Sequence, residues 1–369
     1  MYWRSFLTSL TCIKAWPLSS REGIIFSIAE MQAVQLQGIS DLSVSVVIPV
    51  FNRRHLVGAA LESVLVQDVP DIDIVVVDNH SDDGTWELLQ TYDDPRVRLF
   101  RNDYNIGLFG NFNRCAKEIR GRYALFLCSD DRLAAGFLRP AIALLDRHPS
   151  AVLLSSRGVV VNEHGRKSVI ADFFASGLYD GASAPSAWFW TNYNYGANPL
   201  NYPSGIVIRT SALNRCLPFR SEIGAGADID LFLRVLGCGD LLISDEIGCF
   251  IARHGGQESL QARSKGALVN SEFALLSAFE AELQRAGTYA EINRQMACTV
   301  LGEVIRNGRS GIRQALATNR SFGRRPMEML NAAVRRALLT SIYRISGIRF
   351  SRHLKPVVGA PGVDARAES

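Results

Sequence analysis

Between Ser43 and Cys128, apolar β-branched runs alternate strictly with segments of helical period, and this alternation constrains the fold more than any other feature. "VSVVIPVF" (44–51), "IDIVVVDN" (72–79), "VRLFRN" (97–102) and "YALFLC" (123–128) read as strands. The first two are apolar enough to be buried on both faces, as parallel strands are. Between them, "RRHLVGAALESVLVQ" (53–67), "DDGTWELLQTY" (82–92) and "GNFNRCAKEIR" (110–120) carry helical spacing. The second opens with acids, where the helix dipole favours them. Strand and helix in alternation imply parallel strands joined by crossover helices. The expected class is therefore α/β, a mostly parallel Rossmann-like sheet with flanking helices.

In such sheets, ligands gather at the carboxyl ends of the strands. Asp78 ends the second strand and Asp130 the fourth, so both fall on that edge. Asp130 and Asp131 are adjacent carboxylates that repel each other, and oxygen donors placed this way suit Mg²⁺ or Mn²⁺. Ser-Asp-Asp is also ordinary turn chemistry, so the pair alone does not decide between a turn and a cation. No glycine-rich phosphate loop follows the first strand, where the chain reads "PVFNRR" (49–54). A phosphate there would be held by a cation or by side chains.

The 369 residues, 47% hydrophobic and 21% charged, suffice for a sizeable core and for two or three domains. A net charge of +4 is too small to argue for nucleic acid. Seven cysteines without a CxxC pair give no zinc or redox motif and fit a reducing compartment. No apolar run is long enough to span a membrane. Lys14 interrupts the apolar patch of the first twenty residues, against a secretory signal. Residues 1–42 are expected to be an N-terminal extension of poor order. Residues 43–259 form the α/β domain, 260–350 a basic helical region, and 351–369 a flexible tail. From Arg306 to Arg352 there are eleven arginines and one acid, Glu328. A solvated surface or an anionic membrane surface would explain them. Nucleic acid is disfavoured because no recognition motif accompanies them.

"VVIPVFNRR" (46–54), "VVVDNHSDDGT" (75–85), "NIGLFGNFN" (105–113), "FLCSDD" (126–131), "GADIDLFLR" (226–234) and "RHGGQES" (253–259) occur in that order. As a set, from about Ser43 to Ser259, they resemble the inverting glycosyltransferases of family 2, which have the GT-A fold. The resemblance implies a nucleoside-diphosphate sugar donor of UDP or dTDP type and a glycan or lipid-linked acceptor. It also implies Mg²⁺ or Mn²⁺ as cofactor and a place in polysaccharide or cell-envelope synthesis. By this likeness Asp78 hydrogen-bonds the base, and Pro49, Val50, Phe51, Asn52 and Arg53 line the nucleoside side. Asn105, Gly107, Asn113 and Ser129 complete the donor site. Asp130 holds the cation that bridges the diphosphate, and Asp131 is second in that role. His254 completes the metal site or touches the diphosphate. The expected location is the cytoplasm, with peripheral contact at the inner face of the membrane if the arginines meet lipid.

Inverting transfer is one displacement at the anomeric carbon, needing a base for the acceptor hydroxyl and stabilisation of the leaving diphosphate. Asp228 is the expected base, kept ionised by the helix N-terminus that follows it. Asp230 is expected on the acceptor side or as a brace for that helix. The segment "SAWFWTNYNYGANPLNYPSG" (186–205) offers Trp188, Trp190 and Tyr202 as an acceptor platform, or as packing beneath a loop. Three positions depart from the family pattern: Cys128 and Ala227 stand where acids are common, and Phe112 where an arginine is. A catalytically silent sugar-nucleotide-binding protein and a sugar nucleotidyltransferase are the alternatives. The latter normally needs an early glycine-rich loop, which "PVFNRR" is not.

Overall fold

The computed structural model describes residues 43–296, apart from 163, 166, 171–172, 196, 256–266 and 294, together with Lys355 and Val357. The expected N-terminal extension and the whole arginine-rich stretch 306–352 lie outside the described residues. Strand β1 (Ser43–Val50) pairs in parallel with β2 (Asp71–Asp78) on one side and with β4 (Tyr123–Phe126) on the other. β3 (Val97–Arg101) extends the parallel set beside β2. Register sets Val50 opposite Asp78, so β1 and β2 end level.

The other half of the sheet is mixed. It contains β5 (Arg132–Leu133), β6 (Ala151–Asn162), β7 (Lys167–Ile170), β8 (Gly177–Tyr179), β9 (Ile206–Arg209) and β10 (Asp240–Arg253). The order is β3-β2-β1-β4-β9-β6-β10-β5, with β7 beside β6 and β8 beside β10. β9 runs antiparallel to both β4 and β6, while β10 runs parallel to β6. "AVLLSS" and "GVVVNE" suggest two further strands in the sequence, but a single β6 runs from the first into the second and ends at Asn162.

Helices cover both faces. Val46, Ile48, Ile74 and Val76 pack with Leu61 and Val64 of α1 (Val57–Leu65) and with Leu144 of α4 (Leu138–Arg147). Val47, Val75, Val77 and Phe126 turn the other way. They share a cluster with Phe112 of α3 (Leu108–Ala116), α5 (Ala184–Tyr195) and α7 (Ala227–Leu236). Alternate residues of one strand thus enter different cores, which is why the strands read as unbroken apolar runs. The remaining helices are α2 (Thr85–Leu89), α6 (Thr210–Cys216), α8 (Ala267–Ala278) and α9 (Glu280–Arg285). Among the described residues no helix is long and apolar enough to cross a membrane.

The chain's last described residues lie against β8. Asp180 N–H donates to Lys355 O (2.7 Å), and Val357 N–H donates to Leu178 O (3.1 Å). Lys355 N–H also reaches Ser183 Oγ at 3.1 Å. Lys355 and Val357 are therefore tied to β8 and the turn after it; the rest of 351–369 lies outside the described residues.

Phe112 occupies the position where the family pattern expects arginine. It stacks on Phe126 (centroids 5.7 Å apart) and meets Phe219 edge-on at 5.2 Å. The ring is 5% exposed, so a charge here would be buried. Phe112→Ala should lower stability by about 3–5 kcal/mol, read as a fall in urea midpoint at unchanged m-value. A change below about 1 kcal/mol would show that the aromatic cluster does not hold α3 to the sheet.

Candidate active site

The loops that leave β1 and β2 are zipped together. Asn52 adopts a left-handed φ of 51°, a conformation that carries strain for a residue with a side chain. Its N–H donates to Ser81 Oγ (2.9 Å), its Nδ2 to Asp82 Oδ1 (2.9 Å), and its Oδ1 accepts Asp82 N–H (3.0 Å). Arg53 N–H donates to Thr85 Oγ1 at 2.9 Å. His80, across the gap, is also left-handed at φ 65°. Pro49 and Val50 are buried, while Phe51 is exposed at the mouth of the loop.

Asp78 is fully buried beneath this zipper. Its Oδ2 faces Arg101 Nε at 3.1 Å and accepts Ser81 N–H at 3.1 Å. Arg101 also donates to Ser81 O (2.8 Å) and lies over the Trp86 ring, 5.4 Å from its centroid. Arg101 was not read from the sequence, because an arginine ending a third strand carries no motif of its own.

An asparagine network supports the neighbouring loop. Asn79 Nδ2 donates to Asn105 Oδ1 (2.7 Å), and Asn79 Oδ1 accepts Asn102 Nδ2 (2.9 Å) and Ile106 N–H (3.0 Å). Asn102 continues to Asn111 Oδ1 (3.0 Å), and Asn111 donates to Val77 O (3.0 Å). Asn105 also accepts Gly107 N–H at 2.8 Å, and Gly107 takes φ 78°. Asn105 and Gly107 therefore stand on the site edge, on a scaffold made by Asn79, Asn102 and Asn111. The density of asparagine in this segment was the signal that could have found it. Asn113 serves differently: it clamps the backbone of Phe219, donating to its O (2.9 Å) and accepting its N–H (2.7 Å). Both ends of its amide are thus engaged with the fold.

After β4 the chain delivers Cys128, Ser129, Asp130 and Asp131 to the same edge, with Ser129 buried. Ligating atoms of Cys128, Asp130 and Asp131 lie within 4.8 Å of one another. His254 Nε2, from just beyond β10, is 3.0 Å from Asp130 Oδ2. Asp130 and His254 are thus in direct contact at this edge. Asp131 is 3% exposed and points elsewhere, accepting Ser204 Oγ–H (2.6 Å) and Ala252 N–H (3.1 Å). Burial and the charge of Asp130 push its carboxyl well above the usual range. Burial and the charges of Asp131 and Asp130 likewise raise the Cys128 thiol. Negative charge is crowded here, and a divalent cation fits both that charge and the oxygen and nitrogen donors. The Cys128 thiol is the soft donor of the set.

Asp228 and Asp230 open α7 and diverge. Asp230 is fully buried, held by Arg220 and by Arg234 Nη2 at 2.8 Å. It braces the helix, with both of its oxygens engaged by the two guanidinium groups. Asp228 is half-buried, and desolvation lifts its carboxyl to about 6 although it accepts Ile229 N–H at 2.8 Å. Burial therefore raises the carboxyl against the helix N-terminus, yet at about 6 it is still ionised at neutral pH. Its charge bears on the Cys128 thiol, so it belongs to the same edge.

Trp188 and Trp190 do not form an exposed platform. Their segment is the buried helix α5 rather than a loop, and both indoles sit in the core at 6% and 5% exposure. Trp188 Nε1–H is satisfied by Asn198 Oδ1 at 2.8 Å. Tyr202 alone of the three reaches the surface.

Comparison with known proteins adds to this geometry. Residues 45–220 match the family model described as Glycosyl transferase family 2. The chain is similar to UDP-Glc:alpha-D-GlcNAc-diphosphoundecaprenol beta-1,3-glucosyltransferase WfgD of Escherichia coli. The two are 28% identical over 137 residues, 37% of this chain and 53% of that protein. It is also similar to GalNAc(5)-diNAcBac-PP-undecaprenol beta-1,3-glucosyltransferase of Campylobacter jejuni. There the identity is 38% over 97 residues, 26% of this chain and 31% of that protein. The alignments thus span about a third to a half of the curated relatives' lengths. Among solved structures, S. aureus TarS 1-349 in complex with UDP superposes with a TM-score of 0.51 at 17% identity. That match covers 88% of this chain and 100% of the other, and shows a shared GT-A fold.

The buried Asp230 makes a direct prediction. Asp230→Asn leaves two guanidinium groups facing a neutral amide and should cost about 3 kcal/mol of stability. Differential scanning calorimetry would show it as a lowered midpoint, and an unchanged midpoint would mean that the ion pairs do not brace α7.

Proposed function

Since residues 45–220 match the glycosyl transferase family 2 model, we propose that the chain transfers a sugar, with inversion, from a nucleoside-diphosphate donor to a lipid-linked glycan hydroxyl. The observation that carries the reading is the meeting of Asp130 with His254 at one sheet edge, beside a half-buried Asp228. The two relatives' names specify sugar-diphosphate-undecaprenol acceptors, and one specifies UDP-Glc as donor. These names support a UDP-type donor and a polyprenyl-diphosphate acceptor here.

In this reading, the nucleoside rests against the zipped loops of Phe51, Asn52 and Arg53, with Asp78 held by Arg101 and Ser81 N–H as acceptor for a base N–H. Asn105 and Gly107 line the sugar side. Asp130 and His254 would hold Mg²⁺ or Mn²⁺, which would supply Lewis-acid stabilisation for a leaving diphosphate. Asp228 takes the proton from the acceptor hydroxyl. Its raised pKa brings its basicity closer to the operating pH, which strengthens it as a base. Tyr202, at the surface, suits the acceptor side. The eleven arginines of 306–352 would hold the chain on an anionic membrane surface, where such acceptors reside.

The primary test is release of UDP from UDP-glucose or UDP-N-acetylglucosamine, with Mn²⁺ against EDTA, in the presence of a polyprenyl-diphosphate-linked sugar. Binding of UDP without any turnover would leave a silent sugar-nucleotide-binding protein. Asp130→Asn should abolish Mn²⁺-dependent UDP binding in calorimetry, and retention of wild-type affinity would remove Asp130 from the metal site. Asp228→Asn should lower kcat by about 10²–10⁴-fold while UDP and Mn²⁺ affinities stay near wild type, as for an interaction made in the transition state. Because the base works ionised, wild-type activity should rise with pH through about 6 and then level. That acidic limb should vanish in Asp228→Asn. A limb that survives the substitution would place the base elsewhere.

A further inference from the structure

Asp131 is adjacent to the proposed cation ligand Asp130, and proximity alone does not separate their roles. Their hydrogen bonds do. Asp130 directs one oxygen at His254. Asp131 directs its two oxygens at two different segments of the fold, Oδ2 accepting from Ser204 Oγ (2.6 Å) and Oδ1 from Ala252 N–H (3.1 Å). Ser204 is itself fully buried, and its Oγ accepts Cys128 N–H at 3.1 Å. A continuous chain therefore runs from Cys128 N–H through Ser204 Oγ to Asp131 and on to Ala252 N–H.

β10 stays paired with β6 as far as Arg253, but its other edge loses its partner sooner. β5 and β10 are antiparallel neighbours for one pair of residues each way, Leu133 with Cys249 and Arg132 with Phe250. Beyond Phe250 the β5 side offers no further ladder, yet His254 must stand four residues past that point and meet Asp130. Ala252 N–H on Asp131 carries the fastening two residues further, towards His254.

We infer that Asp131 is a positioning residue: with Ser204 it fastens the end of β10 to the end of β4, and so holds His254 on Asp130. The consequence for cation affinity rests on the metal site proposed above; the fastening itself does not. Asparagine at 131 can accept only one of the two N–H and O–H donors, since its NH₂ must face the other. Ser204→Ala breaks the chain while leaving the carboxylate in place.

Two measurements test this. In metal-free protein, hydrogen exchange of the segment 249–254 should quicken in Asp131→Asn and in Ser204→Ala, with far-UV circular dichroism and thermal unfolding confirming that each remains folded. In Mn²⁺ titrations followed by electron paramagnetic resonance, Asp131→Asn should weaken affinity by about 10–100-fold, as expected for a residue that orients a ligand. Added to His254→Ala, it should change affinity by no more than about 2-fold, the limit of near-additive independence being reached from the coupled side. Ser204→Ala should follow the same pattern. An equal loss in both backgrounds would make Asp131 a direct ligand and overturn the inference, as would unchanged exchange over 249–254. Absence of Mn²⁺ binding by the wild type would instead sink the metal reading, and the exchange measurement would then decide the fastening by itself.

Discussion

The parallel register of β1 between β2 and β4 is the constraint on which the rest depends. It aligns the ends of β1 and β2 and carries the chain beyond β4 across the same edge, with Leu127 N–H still bonded to Val47 O at 2.9 Å. Every carboxylate of interest except those on α7 is exported by one of these strands. Because both faces of the strands are covered, the edge is where the backbone can present side chains without breaking a core.

Gathering acids at one edge is costly, and the fold meets the cost unevenly. Asp78 has Arg101 and a backbone N–H. Asp230 has two arginines, and Asp131 has a hydroxyl and a backbone N–H. Among the described residues, Asp130 meets an imidazole and the Asp228 carboxylate is met by backbone N–H groups alone. Compensation therefore grades the five residues. Asp131 and Asp230, whose oxygens are taken by the fold, are parts of the scaffold, whereas Asp130 and Asp228 retain chemistry to offer. Asp228 at about 6 is the outcome of that sparseness, since burial is left largely unopposed.

The strands and crossover helices of the first half were legible because a buried parallel strand has few ways to look otherwise. The second half was less so. Nothing local distinguishes β9, which runs antiparallel between β4 and β6, from a parallel strand of the same composition. The aromatic residues of 186–205 read as a loop because asparagine, glycine and proline crowd its far end, yet its near end is α5 with Trp188 and Trp190 inward. Residue roles were legible only as far as residue type limits them. Asp78, Asp130 and His254 reached the edge as expected, whereas Asn113 turned out to clamp Phe219. An amide can serve a ligand or a backbone equally well, and only the fold decides which is within reach.

The departures from the family pattern are resolved by asking what the scaffold takes from each position. At 112 it takes the side chain: Phe112 joins Phe126 and Phe219 in a continuous aromatic cluster, so the position has become core. At 128 it takes the backbone, through the N–H given to Ser204. The thiol also meets Ser204 and packs beside the core, while lying among the ligating atoms of Asp130 and Asp131. A thiol there alters the charge and softness of the donor set. The backbone hydrogen bond is one that every residue except proline can make, so the strand end keeps that tie whatever side chain stands at 128.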